Sequence, residues 1–349
     1  MDCRSVSTIN NLQYLRGLAA LMVVFAHSSY VYINPTMFGA AGVDIFFFIS
    51  GSVIYLSYGK SKTGPFHFFY RRASRVVPLY WIVNIFYATK FYLTNEPNFT
   101  LKYFICSLFF IPQHSSMYAG KIWPLVVQGW TLNYEMLFYL IFTISIWLSQ
   151  KKAVIFAGLL IIALTVVGGL LSPADSVLAF YSRPQILEFV GGMALAHAHT
   201  SGWLTKRPWL GLGLPIGAML LLGAEESEAY TQGIAWGIAG GLIVLGAMAL
   251  EGWWVSRSAW LPRVLGDASY SIYITHLLTF HVLCKLVTSG GIVAGLGFWG
   301  LAAANLCASA IVGVFLYWLV ERPILTAMRR AWRPRAVPGT SHFSAAPVP

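Results

Sequence analysis

Runs of apolar residues about 20 long recur from one end of this chain to the other, parted by short polar or Gly/Pro segments. As a helix, such a run crosses the hydrocarbon core of a bilayer. Lipid offers the backbone no hydrogen-bond partners, so only helices and closed barrels span it. The pattern predicts an all-α, polytopic membrane protein with ten transmembrane helices, near 12–32, 38–58, 76–95, 129–149, 153–171, 183–199, 209–223, 232–250, 268–288 and 296–320. Residues 101–112 are apolar but too short to span, and are expected to form an interfacial or re-entrant piece. Of the 349 residues, 57% are hydrophobic and 10% charged. Soluble domains carry about 25% charged residues, and disorder needs low hydrophobicity, so both classes are excluded.

The net charge is +11. In a soluble chain this would point to nucleic acid; in a polytopic one, Lys and Arg collect on cytoplasmic loops. With both termini cytoplasmic, Arg4, Arg16, Lys60, Lys62, Arg71, Arg72, Arg75, Lys151, Lys152, Lys206, Arg207, Arg257, Arg263, Arg322, Arg329, Arg330, Arg333 and Arg335 fall on one side. They are 18 of the 23 basic residues, the exceptions being Lys90, Lys102, Lys121, Arg183 and Lys285. Glu96, Asp175, Glu225, Glu226 and Glu228 fall on the opposite side. The first run carries Arg16 and lacks a small-residue cleavage site, so it is expected to stay as a span. Cys3, Cys106, Cys284 and Cys307 have no metal or CxxC spacing and read as small apolar residues.

Ionisable side chains inside spans are costly and mark function by default. They are Arg16, His27, Asp44, Glu135, Glu188, His197, His276, His281 and Lys285. Counting from the span ends, His27, Asp44, Glu135 and Glu188 are expected to share a layer in the outer half of the bilayer, roughly 7–9 Å below its boundary. Arg16 and His27 are eleven residues apart, so they share a helix face and lie about 16 Å apart along the axis. That line suits a long, thin substrate with an anionic head and a reactive tip, the shape of an acyl-coenzyme A. Arg71, Arg72 and Arg75 lie on the same side as Arg16, and a guanidinium fork matches phosphate. His27 beside a carboxylate, either Asp44 or Glu135, has the arrangement of a general base. Structural readings cover the rest: His67, His114, His197, His199 and His342 near ends, in loops or in the tail; His281 and Lys285 on one face; Glu188 as partner of Arg183 or of another helix; Asp267 as a helix N-cap. Gly233, Gly237 and Gly241 form a helix-packing stripe. No metal site is expected, since the histidines lack ligand spacing on one face.

Six segments then line up. Residues 14–27, YLRGLAALMVVFAH, hold an Arg, ten residues and a His. Residues 42–51 read GVDIFFFISG; 71–80 read RRASRVVPLY, a basic loop leading into span 3. Residues 129–139, GWTLNYEMLFY, supply a Trp…Glu…Tyr pattern, 265–276 read LGDASYSIYITH, and Glu321-Arg322-Pro323 closes the set. In this order, from residue 12 to 323, they resemble the acyltransferase-3 family of membrane-bound acyltransferases. The second and fourth segments are most similar to bacterial exopolysaccharide O-acetyltransferases.

The resemblance implies an acyl-CoA-dependent O-acyltransferase of the bacterial inner membrane. Its donor substrate would be acetyl-CoA or another short acyl-CoA, and its acceptor a sugar hydroxyl of a lipid-linked or growing polysaccharide. It implies His27 as the catalytic residue, Arg16 as its motif partner, Glu135 as the acidic position, and Arg71 or the Arg72–Arg75 pair near the donor. Asp44 or Glu135 would orient His27. Trp130, Asn133, Tyr139 and His276 are assigned to substrate binding, with Asn133, Trp130, Tyr139 or Arg16 as oxyanion donors. Membrane lipids and a polysaccharide-synthesis complex are the implied partners, and nucleic acid is not one. The membrane domain is expected over 1–325, with a basic, flexible cytoplasmic tail over 326–349. With no hydrolase-like domain visible in the sequence, a hand-off between two domains is not expected. The rival readings are a transporter of lipid-linked sugars or acyl donors, against which no inverted repeat is visible, and a structural subunit, for which the buried charges would be unexplained costs.

Overall fold

The computed structural model describes residues 9–28, 38–60, 64–171, 173, 176–224, 229–253, 259–289 and 293–331. Among these residues every regular element is helical: α1 Asn10–Ser28, α2 Gly42–Lys60, α3 Pro65–Leu93, α4 Leu101–Leu108, α5 Trp130–Leu148, α6 Ala153–Leu171, α7 Val177–Tyr181, α8 Leu187–Thr200, α9 Gly213–Gly223, α10 Ala229–Ala249, α11 Trp260–Asp267, α12 Ser269–Ser289, α13 Val293–Leu316 and α14 Arg322–Ala331. A π-helical turn, Tyr317–Glu321, joins the last two. Arg4, Cys3, Lys62, Asp175, Glu225, Glu226, Glu228, Arg257, Arg333, Arg335 and His342 lie outside the described residues.

Among the described residues, six stretches are long and apolar enough to cross a membrane: Phe38–Gly59, Pro65–Leu93, Val127–Leu148, Ala153–Leu171, Gln232–Ala249 and Gly297–Ala331. Each of the ten expected spans contains a helix, but α1, α8, α9 and α12 are not in this set of six. Two of them, α8 and α9, are short, at 14 and 11 residues. The other two carry polar side chains turned to their neighbours: Arg16 and the buried Ser28 on α1, and the buried Ser269, Ser271, Thr275, His276 and Thr279 on α12. The 101–112 segment holds the eight-residue α4, too short to span.

Three sequence expectations need correction. Span 3 does not begin at residue 76, and Arg71, Arg72 and Arg75 do not lie in a loop before it. The helix instead starts at Pro65, whose fixed φ suits the first turn, and runs through Pro78, so all three arginines are helical. Asp267 does not cap a helix start. It is the last residue of α11, and its carboxylate accepts from Gln13 Nε2 at 2.6 Å. The final helix passes the expected tail boundary at 325 and continues to Ala331.

Aromatic rings fill the centre of the bundle. Phe47, Phe138 and Phe189, from α2, α5 and α8, pack with ring centroids 4.4 to 4.7 Å apart. Around them the helices touch backbone to backbone. A Cβ at Gly192 would meet the Phe48 carbonyl oxygen at 2.0 Å, and one at Gly51 the Phe189 carbonyl oxygen at 2.1 Å. Ser52 Oγ completes this α2–α8 crossing by lying 2.9 Å from both the Phe48 and the Gly192 carbonyl oxygens. Small residues permit such approach between membrane helices, where dispersion and hydrogen bonds replace the hydrophobic drive. Gly192→Ala is therefore expected to destabilise the protein by about 1–3 kcal/mol, seen as a lowered thermal midpoint in detergent. An unchanged midpoint would show that the crossing has slack.

A second close crossing seats α1. A Cβ at Gly17 would meet Gly266 N at 2.9 Å, and one at Gly266 would meet the Gln13 carbonyl oxygen at 2.1 Å. The Glu251 carboxylate accepts from the first backbone N–H groups of α1, those of Asn10 at 3.0 Å and Asn11 at 2.9 Å. A negative charge is favourable at a helix N-terminus. At the far end, Asn305 Nδ2 on α13 donates to Ser28 Oγ at 3.0 Å and lies 3.3 Å from the Val24 carbonyl oxygen. Both ends of the helix that carries Arg16 and His27 are thus fixed.

Candidate active site

Arg16 faces a narrow chamber between α1, α2, α3, α5 and α12. The periodicity of each helix explains which side chains reach it. On α3, Arg72, Arg75 and Val76 recur at helical spacing and line the chamber, whereas Arg71 points out and is exposed. On α5, Thr131, Glu135 and Tyr139 are four residues apart and share the inward face. Arg16 Nη2 donates to Ser269 Oγ at 3.0 Å, and its Nη1 lies 3.4 Å from Gln13 Oε1. Arg72 donates to Ser57 Oγ and lies 3.4 Å from the Val53 carbonyl oxygen. Glu135 accepts from Ser50 Oγ at 2.9 Å and from Tyr139 OH at 2.5 Å. Glu321 accepts from Ser271 Oγ at 2.5 Å, and with Glu135 it contributes opposite charge around Arg16. Three guanidiniums against two carboxylates leave the region net positive, as an anion site requires.

Eleven residues along α1, the His27 Nδ1 lies 2.8 Å from the Val23 carbonyl oxygen. A carbonyl only accepts, so Nδ1 carries the proton and Nε2 holds the lone pair. His276 repeats the arrangement: its Nδ1 lies 2.5 Å from the Tyr273 carbonyl oxygen, and the side chain is fully buried. Its Nε2 has no hydrogen-bond partner among the described residues. The two imidazoles pack edge to face with centroids 4.8 Å apart. Tyr273 links this pair to the chamber. It lines the chamber wall, its ring centroid lies 5.9 Å from that of His276, and its OH is held by the Gln128 carbonyl and Thr131 Oγ1. A basic chamber and a histidine pair therefore stand about three turns apart on α1, joined by one aromatic wall.

The remaining expected residues divide. Asp44 and Glu188 are neighbouring carboxyl groups, and both are buried. Glu135 does not lie in their layer. It bonds Ser50, which is six residues, about 9 Å, further along α2 than Asp44. The depth estimate failed because α5 starts inside the fold, after a 3-10 turn at Val127–Gly129, so counting from its end misplaced Glu135. Glu188 partners Asp44, one of the alternatives the sequence left open. Tyr139 is in the chamber with Glu135, but Trp130 is not: it faces a separate cavity beside Trp123 and Arg183. Asn133 is buried, with Oδ1 unpartnered, and does not line the chamber.

Sequence reading missed Ser50, Ser269 and Asn305. A signal existed in each case, a polar side chain inside an apolar run. The Ser271–Glu321 bond was legible only as two separate motif residues, because it joins α12 to the π-helical turn across 50 positions.

Comparison with known proteins identifies the family. The acyltransferase-3 family, described as an acyltransferase domain, matches residues 9–318. The exopolysaccharide production protein ExoZ of Rhizobium meliloti (strain 1021) is 36% identical over 298 residues, covering 82% of this chain and 90% of that protein. Nodulation protein 10 of Rhizobium leguminosarum bv. viciae is 24% identical over an alignment covering 90% of this chain and 93% of that protein. No solved structure gives a significant match. With a family match across most of its length and a relative above 30% identity over nearly all of ExoZ, the chain belongs to the acyltransferase-3 family and is an acyltransferase that moves a group other than an aminoacyl group.

Proposed function

We propose that the protein transfers a short acyl group, acetyl in the simplest case, from acyl-CoA to a sugar hydroxyl of a lipid-linked or growing polysaccharide. The observation that carries the reading is the pair of features on α1: a cation-lined chamber at Arg16 and a histidine with its Nε2 lone pair oriented at residue 27. That the 36% identical relative is an exopolysaccharide production protein supports a sugar acceptor. Ten spans, with both termini in the cytoplasm of a bacterial inner membrane, give the orientation that places most basic residues inside.

In this reading the anionic head of the donor meets the exposed Arg71 first, then Arg72, Arg75 and Arg16. Its thin pantetheine arm extends along α1 towards His27. His27 Nε2 takes the proton of the sugar hydroxyl as its oxygen attacks the thioester carbonyl. The new O–C bond forms, the C–S bond breaks, and the leaving thiolate takes the proton back from the imidazolium. The Val23 carbonyl holds the ring and supports the imidazolium through Nδ1–H. His276, edge-on to His27, shapes the pocket for the acceptor oxygen. Glu135 serves the chamber, holding Tyr139 and Ser50 and balancing the arginines.

The test is thiol release from acetyl-CoA by the purified protein, with and without a membrane extract containing lipid-linked saccharides. Release that rises with the extract, together with radiolabel from the acetyl group appearing in saccharide, is expected. Saccharide carried across a vesicle membrane without thiol release would overturn the reading in favour of transport.

A further inference from the structure

The five basic residues that break the one-sided charge pattern include Lys121 and Arg183, and the fold brings these two together. They line a cavity of about 350 Å³ with Trp123, Trp130, Ser176 and Phe180. Lys121 Nζ lies 5.8 Å from the centroid of Trp123, and the Arg183 guanidinium lies 5.8 Å from that of Phe180. No acidic side chain is among the described residues that line it. Flat aromatic faces stack on sugar rings, and two cations side by side suit a phosphate. Arg183 also borders a second cavity, of about 520 Å³, between α2, α8 and α10. Phe48, Leu187, Ile234 and Ile238 make its wall apolar, and Ile234 and Ile238 remain 42% and 55% exposed, which opens it sideways. Glu188, buried beside Asp44, is the acidic residue among the described residues that line it.

Resting on the acyl-transfer reading for the identity of the sugar, we propose that these two cavities form one site for a prenyl-pyrophosphate-linked saccharide. The prenyl chain lies in the apolar groove, the pyrophosphate at Arg183 and Lys121, and the saccharide against Trp123 and Trp130. Three observations converge on an amphiphile with an anionic junction. Arg183 is shared by both cavities, one cavity is aromatic and cationic, and the other is apolar and open on its flank. The site also adjoins the histidine pair. Trp130 is followed by Thr131, whose Oγ1 holds Tyr273, three residues from His276, and Gln128 Nε2 donates to the Ile274 carbonyl at 2.6 Å.

The test uses the full-length protein in detergent and four probes: farnesyl-pyrophosphoryl cellobiose, cellobiose, farnesol and inorganic pyrophosphate, followed by tryptophan fluorescence. The conjugate is expected to bind at least about 100-fold more tightly than any fragment, since linked contacts act together. Lys121→Gln with Arg183→Gln is expected to weaken conjugate binding by about 10-fold or more while leaving the thermal midpoint and acetyl-CoA binding unchanged. Trp130→Leu is expected to weaken the conjugate but not farnesol. Conjugate binding equal in wild type and the double variant, or no tighter than pyrophosphate alone, would overturn the site. The two readings fail separately. Turnover with an acceptor KM unchanged in the double variant sinks this site and leaves acyl transfer standing. The predicted binding pattern without any thiol release keeps the site and removes the transferase chemistry.

Discussion

His27→Ala is expected to lower kcat for acyl transfer by about 10²–10⁴-fold, the usual worth of a positioned general base. The KM for acyl-CoA should change little, because the cationic chamber around Arg16 lies about 16 Å away along α1. The argument rests on the tautomer. The Val23 carbonyl fixes the proton on Nδ1, so Nε2 is a lone pair held in place before substrate arrives. Loss of the ring also removes packing against His276, so the alanine variant alone cannot separate chemistry from structure. His27→Asn makes the distinction: an amide can still donate to the Val23 carbonyl, but it cannot take up a proton near neutral pH. Both variants should show the same loss in kcat while keeping donor binding, and His27→Asn should keep the thermal midpoint as well. Wild-type kcat in a folded His27→Asn variant would remove His27 from the reaction and pass the base role to His276.

Much of this site was legible because helical spacing is rigid. Arg16 and His27 on one face, about three turns apart, follow from 3.6 residues per turn, and the fold keeps that line. The helices themselves were legible for the same reason, since apolar runs and punctuating Gly and Pro report local structure. Pro78 shows where that logic overreaches. Proline inside a helix usually marks a boundary, yet here α3 continues through it, because packing against α5 and α12 outweighs one missing hydrogen bond.

What stayed hidden are pairings between helices distant in sequence. Asp44 and Glu188 read as two separate intramembrane acids, and nothing in spacing says that they face each other. Depth counted along each span could not place Glu135, because it assumes that every helix begins at a membrane boundary. His276 was assigned to substrate, but its contact with His27 across 249 positions depends on how α12 packs on α1. The backbone contacts at Gly17 and Gly266, which seat α1 on α11 just before α12 begins, carry no chemical signal of their own.

Arg16→Lys is expected to lower kcat/KM for acyl-CoA by about 100-fold, although it keeps the charge. The guanidinium makes one hydrogen bond to Ser269 Oγ and lies near Gln13 Oε1, and its planar fork leaves further N–H groups for the chamber that it shares with Arg72 and Arg75. A lysine ammonium is a more strongly hydrated point charge and cannot hold Ser269 while presenting a two-pronged edge to phosphate. Truncating one partner of a buried, charge-assisted contact costs about 2–5 kcal/mol, or roughly 30- to 3000-fold. The loss should fall on KM and not on kcat, because a contact to the donor head is made equally in the ground and transition states. Acetyl-dephospho-CoA, which lacks the ribose phosphate, provides the cross-check. If Arg16 meets that phosphate, the truncated donor costs wild type about what the substitution costs, and the two losses do not add. Additive losses would move the phosphate contact to Arg72 or Arg75. A fall in kcat at constant KM would place Arg16 at the reacting carbonyl, and the donor would then have to enter with its thioester in the arginine chamber, reversing the direction along α1 proposed above.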